Sequence, residues 1–147
     1  EVLKVLLRDC MNRNDLKGLT RIRLQEAKSL MASGHYAGAY YLAGYVVECA
    51  LKACIAKETR RHDFPDKNKV NASWTHQLTR LVDTAGLSAS LDAEGSSDPK
   101  FAWCWGVVKE WTEESRYTIV QEKKAGDLLT AISDRNHGVL MWLRRYW

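Results

Sequence analysis

The chain reads as an all-α protein, and three observations carry that reading. Apolar residues recur at intervals of three and four along most of its length, the period of a half-buried helix. Only 2 prolines interrupt it, and alternating β-type patterns are scarce. One central stretch is apolar nearly all round, as a helix buried on most sides must be. At 147 residues, 46% hydrophobic and 27% charged, residues 1–147 form one domain with a real core. That balance excludes a disordered tail. No apolar run approaches the ~20 residues of a membrane span, and Glu1 to Arg8 lacks the pattern of a secretory signal. A cytoplasmic protein without membrane association is expected.

The elements follow in order. Residues 1–14 form an N-terminal extension, in which Val2, Leu3, Leu6, Leu7 and Cys10 make a short amphipathic pattern. Asp15 predicts an N-cap for a helix over Leu16–Ser33, with Leu24, Ala27, Leu30 and Met31 on its buried face and Gly34 as its C-terminal cap. The central helix runs from His35 to about Lys57. Its Ala37, Gly38, Ala39, Ala43, Gly44, Ala50 and Ala53 are small enough for neighbouring helices to approach closely. Within it Tyr41, Tyr45, Glu48 and Lys52 are spaced four, three and four apart, so they share one face. That polar stripe reads either as an ion pair at the core edge or as a patch in an interhelical groove.

Thr59–Trp74 reads as a loop. Arg60, Arg61, His62, Lys67 and Lys69 make it the most basic connection. Thr75 is expected to cap a helix from His76 to about Ala85, closed by Gly86. Leu87–Asp98, rich in Ser, Asp and Gly, reads as an exposed connection. Asp98-Pro99 is a helix start, and the helix extends to about Glu114 with Phe101, Cys104, Trp105, Val108 and Trp111 buried. Ser115-Arg116-Tyr117 precede a last helix that starts near Gln121 and runs toward the C-terminus, with Arg135 on its apolar stripe between Ile132 and Val139.

The charge is mildly basic: 22 Lys and Arg against 18 Asp and Glu, net +4. It permits a polyanionic partner without demanding one. Cys10, Cys49, Cys54 and Cys104 form no Cys-x-x-Cys pair and read as free thiols. The histidines His35, His62, His76 and His137 have no ligand spacing, so no metal is expected. No phosphate-loop, dinucleotide or nucleophile-elbow motif is present, and no cofactor is expected.

GHYAGAYYLAGYVVECALKA resembles the second helix of HEPN domains (higher eukaryotes and prokaryotes nucleotide-binding). The matching residues are Gly34, Tyr36, Ala39, Glu48, Leu51, Lys52 and Ala53. His76 and Leu78 resemble the family's His-x-Leu, and Arg116 and Tyr117 its Arg-Tyr element. The resemblance covers roughly Leu16 to Trp147. It implies a bundle of four to five helices that forms a homodimer and works with a nucleotidyltransferase or another toxin–antitoxin or phage-defence component, on RNA or nucleotides. Some family members are endoribonucleases, with Arg, four to six residues, then His. Others accept a nucleotide on a Tyr.

This chain departs from the nuclease pattern. Gln121, Glu122 and Lys123 stand where Arg116 needs its His. Arg135 and His137, like Arg60 and His62, are two apart. Intrinsic ribonuclease activity is therefore expected to be absent or weak. Arg116, His76 and His137 remain as catalytic candidates of a non-standard site. A purely structural oligomerisation subunit is a further alternative. The expected ligand groove comprises Arg116, Tyr117, Glu48, Lys52, Tyr41 and Tyr45. The competing reading of Arg116 is a structural salt bridge to Glu48.

Overall fold

In a computed structural model, residues 11–61 and 67–147 are described, with 60 and 61 as backbone only. The first helix, α1, spans Arg13–Ala32. It is followed by α2 (Tyr36–Arg61), α3 (Lys67–Ala72), α4 (Leu78–Thr84), α5 (Ser88–Ser97) and α6 (Pro99–Val108). A 3-10 turn over Glu113–Tyr117 leads to α7 (Glu122–Ser133) and α8 (Val139–Leu143). Among the described residues there is no strand. The all-α expectation holds, with more short helices than the four or five expected.

The apolar surplus of α2 is the organising fact. It touches α1, α4, the 3-10 turn, α7 and α8, so few of its faces are left for water. Ala39, Ala43, Val46, Val47, Ala50, Leu51 and Ala53 are all fully buried. Each fully buried Val or Leu contributes about 1.5–3 kcal/mol. By length and composition the stretch Tyr36–Thr59 passes as a membrane span, contrary to the reading that no run comes close, but 67% of its most apolar window is buried inside the bundle. Helix α7 lies against α2 and α6, and α5 leans on α6.

Several boundaries differ from expectation, each for a local reason. Helix α1 starts earlier, because Asn12 is its N-cap. The Asn12 side chain accepts from the Asp15 N–H at 3.0 Å, and Asp15 accepts from the Asn12 N–H at 3.1 Å. Asp15 is thus the third helical residue of a capping box. Residues 13 and 14, expected in the extension, belong to α1. The amphipathic pattern of residues 1–10 and His62 lie outside the described residues. Gly34 and Gly86 do close their helices, with φ of +78° and +71°.

Arg60 and Arg61 belong to the end of α2, not to a loop, and α3 forms within the segment read as irregular. Thr75 does not cap α4. Its Oγ1 accepts from the Gln77 N–H at 3.1 Å, and Gln77 is the N-cap, which leaves His76 just outside the helix. The Ser- and Gly-rich segment is helix α5, which has no buried residue and packs on the core through Leu91. Asp98 caps α6 as expected, accepting from Lys100 and Phe101 N–H at 3.0 and 3.2 Å. That helix stops at Val108, and the following turn brings Trp111 into the core. Trp105 is only half buried.

The last helix breaks at Asp134, whose Oδ1 accepts from the Asn136 and His137 N–H at 2.9 and 2.7 Å. An Asp side chain that binds backbone in this way competes with the helical ladder. Arg135 is consequently exposed in the turn and not on an apolar stripe. Cys49, Cys54 and Cys104 are free thiols. Burial pushes Cys49 up to about 11 and Cys54 up to about 12, so both are poor nucleophiles at neutral pH.

Candidate functional site

The 26-residue α2 holds Tyr41, Tyr45, Glu48 and Lys52 in one row. Two neighbours close on that row. The segment before α4 delivers His76, and the 3-10 turn after Trp111 delivers Arg116 and Tyr117. Trp111 fits there because Gly44 has no side chain: a Cβ on Gly44 would fall inside the indole ring. The ring then packs edge-to-face on Tyr45, centroids 5.2 Å apart. Trp111 is buried as expected, but its pairing with Gly44 across elements has no signature in local spacing.

Glu48 is the electrostatic centre. It is 3% exposed, so its carboxylate needs partners. Lys52 Nζ donates to Oε1 at 2.9 Å. His76 Nδ1 donates to the same oxygen at 2.9 Å and reaches Oε2 at 3.1 Å. The bond fixes the imidazole orientation and leaves Nε2 as the nitrogen available to a ligand. The His76 side chain is 44% exposed, and its ring faces Tyr45 edge-on, centroids 6.1 Å apart.

The second half of the cluster is phenolic and cationic. The Tyr41 and Tyr45 hydroxyls are 3.3 Å apart. Tyr41 is held below its ordinary pKa by that bond and then by Arg116, while burial and the same bond raise Tyr45. Arg116 lies beside Tyr41, and its guanidinium is 4.9 Å from the centroid of the Tyr117 ring. It makes no ion pair with Glu48, whose partners are Lys52 and His76. The structural reading of Arg116 as the counter-ion of Glu48 is therefore overturned. Arg116 is exposed, and Tyr117 is 79% exposed.

Six of the expected residues, Tyr41, Tyr45, Glu48, Lys52, His76 and Arg116, thus form one connected cluster, with Tyr117 stacked at its edge. His137 is not part of it. Its Nδ1 donates to Asp98 Oδ2 at 2.6 Å, which ties the α7–α8 turn to the start of α6. The cluster is a surface arrangement. A cavity of about 430 Å³, lined by Tyr40, Val107, Glu110, Lys124 and Asp127, includes none of its members. Among the described residues no group of three or more His, Cys, Asp and Glu side chains is placed to hold a metal ion.

A family model described as the HEPN domain matches residues 20–145. The chain belongs to the HEPN family. No curated protein and no solved structure gives a match. The match runs from within α1 to the end of α8 and contains the whole cluster. Membership in the HEPN family supports a module related to nucleotides or RNA. The three HEPN-like motifs, Glu48-x-x-Leu51-Lys52, His76-x-Leu78 and Arg116-Tyr117, lie far apart in the chain. In the fold they converge on this one surface.

Proposed function

We propose that this HEPN domain is a nucleotide- or RNA-binding module whose phosphate contact is Arg116, and that it works as a homodimer beside a nucleotidyltransferase or another toxin–antitoxin or phage-defence component. The observation that carries the reading is the state of Arg116. It is a permanently charged, planar donor with no carboxylate partner, stacked on the exposed Tyr117 ring. That arrangement suits a phosphate beside a base or ribose. Lys52 stands along the same face, so a phosphodiester lying across it meets a second cation.

Replacement of Arg116 by Ala tests this. The melting temperature is expected to stay within a degree or two, because the side chain is exposed and anchors no buried group. Binding of ATP or of a single-stranded RNA is expected to weaken by about tenfold or more, the usual effect of losing a charge-assisted bond. A large loss of melting temperature with unchanged binding per folded molecule would refute the assignment. The dimer is supported by surplus apolar surface beside the cluster: Ile119 is 93% exposed and Trp74 77%. Light scattering at micromolar concentration is expected to give twice 16.8 kDa.

One observation favours a second reading, an endoribonuclease with a non-standard site. The Glu48–His76 pair has the form of an oriented general base: a buried carboxylate fixes one ring nitrogen and the other faces outward. The family's Arg–His spacing is absent, so weak or no cleavage is expected. Cleavage of single-stranded RNA in EDTA, lost in His76→Ala and kept in His137→Ala, would establish the nuclease reading instead.

A further inference from the structure

A second concentration of charge lies at the α1 N-terminal half and involves none of the residues of the Arg116 cluster. Lys17 Nζ, Arg21 Cζ and Arg144 Cζ stand 5.0, 5.4 and 5.7 Å from the ring centroid of Trp147. Arg13 donates to the Trp147 backbone carbonyl. Three cations therefore share one indole, and a fourth is bound to the same residue. An aromatic ring attracts cations through its quadrupole but cancels no charge. Like charges held this way repel one another unless something anionic joins them.

The acids of α1, and the acid that faces Arg145, have other partners. Helix α1 contains two acids, Asp15 and Glu26. Asp15 is bound into the capping box with Asn12, and Glu26 pairs with Arg23 at 2.5 Å. Arg144 makes its other contact with the sulfur of Met141, and Arg145 takes Glu94. Arg13 Nε is buried without a hydrogen-bond partner. Burial, and then the charges of Arg13, Arg21 and Lys57, hold the Lys17 ammonium below its ordinary pKa. That marks a site where positive charge is crowded.

We infer that Arg13, Lys17, Arg21, Lys57 and Arg144 form a second anion-binding surface, gathered by Trp147, that takes the phosphate backbone of RNA. The spacing fits a chain of phosphates better than a single ion. Arg13, Lys17 and Arg21 are four residues apart on a straight helix, a row about 12 Å long at 1.5 Å per residue. Neighbouring cations in the row are about 6 Å apart, close to the separation of consecutive phosphates along a single strand. Trp147 itself is 8% exposed, so the ring props the cations and does not stack on bases. Recognition is then by charge and independent of sequence. The choice of RNA among polyanions rests on the nucleotide and RNA reading proposed above.

The triple variant Arg21→Gln/Lys57→Gln/Arg144→Gln tests the surface, since these three side chains are exposed. The probe is a fluorescein-labelled 20-nucleotide single-stranded RNA, titrated between 0.05 and 0.3 M KCl, with circular dichroism confirming the fold. Loss of three phosphate contacts is expected to lower the slope of log K against log salt by about two. At 0.1 M salt that amounts to about 100-fold weaker binding. ATP binding, which reports on the Arg116 cluster, is expected to be unchanged. An unchanged salt slope in the triple variant would overturn the inference while leaving Arg116 standing. Loss of binding to phosphatidylserine vesicles with RNA binding intact would also overturn it, and would make the surface a membrane contact. Absence of RNA binding by the wild-type protein at 0.05 M salt would overturn the surface and the RNA part of the functional reading together, with ATP binding still deciding the cluster.

Discussion

Two imidazole–carboxylate pairs in this molecule use the same chemistry for different ends. In the first, His76 donates to Glu48, whose carboxylate on the central helix bonds only side chains. In the second, His137 donates to Asp98, which also caps α6 through two backbone N–H groups. The His137 backbone is itself tied down by Asp134 at 2.7 Å. The ring contact of the second pair also joins distant residues, 39 apart, but both of its members are held by backbone bonds that close a turn or a helix end. In the first pair neither side chain closes a turn or caps a helix. That pair buries its acid, exposes its base and adjoins an arginine without a carboxylate partner. A residue type therefore says little about role. What distinguishes the pairs is whether the backbone already explains the contact.

The strongest way to break the comparison is at Gly44. Alanine in a helix normally stabilises by about 1 kcal/mol relative to glycine. Here its Cβ would enter the buried Trp111 indole, and overpacking of a rigid ring outweighs that gain. Gly44→Ala is expected to lose about 3 kcal/mol in urea denaturation. In NMR spectra the His76 imidazole signals should move and those of His137 should not, because only the first pair rests on Tyr45 and Trp111.

Next in size is Glu48→Ala, expected to destabilise by about 2 kcal/mol. It leaves Lys52, itself only 22% exposed at the side chain, without its counter-ion. The same change should free the His76 ring, seen as loss of a single tautomer in nitrogen-15 spectra. Equal stability of Glu48→Ala and wild type would show that the first pair is as peripheral as a surface ion pair.

Smaller still is Asp98→Ala, which removes a helix cap and the His137 contact. A drop of a few degrees in melting temperature is expected, with RNA and ATP binding unchanged. The pH dependence sharpens the contrast. His137 first, and then backbone N–H groups, hold Asp98 below the ordinary carboxylate range, and the His137 and Asn136 N–H groups do the same for Asp134. A carboxyl depressed in the folded state adds stability above its unfolded pKa of about 3.9 and loses it as pH falls through the folded value. Stability should therefore fall below about pH 4, and the double variant Asp98→Asn/Asp134→Asn should show a flatter acid limb in denaturation at pH 5 and pH 3.

Much of this protein was determined by sequence alone. The period of the apolar residues set the helical class, and the all-round apolarity of α2 made it the central element, because such a surface has no stable place in water. Turn chemistry was equally legible at Gly34, Gly86 and Asp98-Pro99. The four-three-four spacing of Tyr41, Tyr45, Glu48 and Lys52 puts them on one helix face, since helical geometry is local. Only the tertiary structure decided the rest. That His76 joins Glu48 while His137 joins Asp98 depends on how helices far apart in the chain come to lie side by side. That Arg116 stays unpaired depends on Glu48 having already been satisfied by Lys52 and His76. The Ser- and Gly-rich composition of α5 describes a loop, and its helix is held by Leu91 against the core. The Trp147 cluster was illegible because the ring acquires its cations only when α1 and the segment after α8 meet.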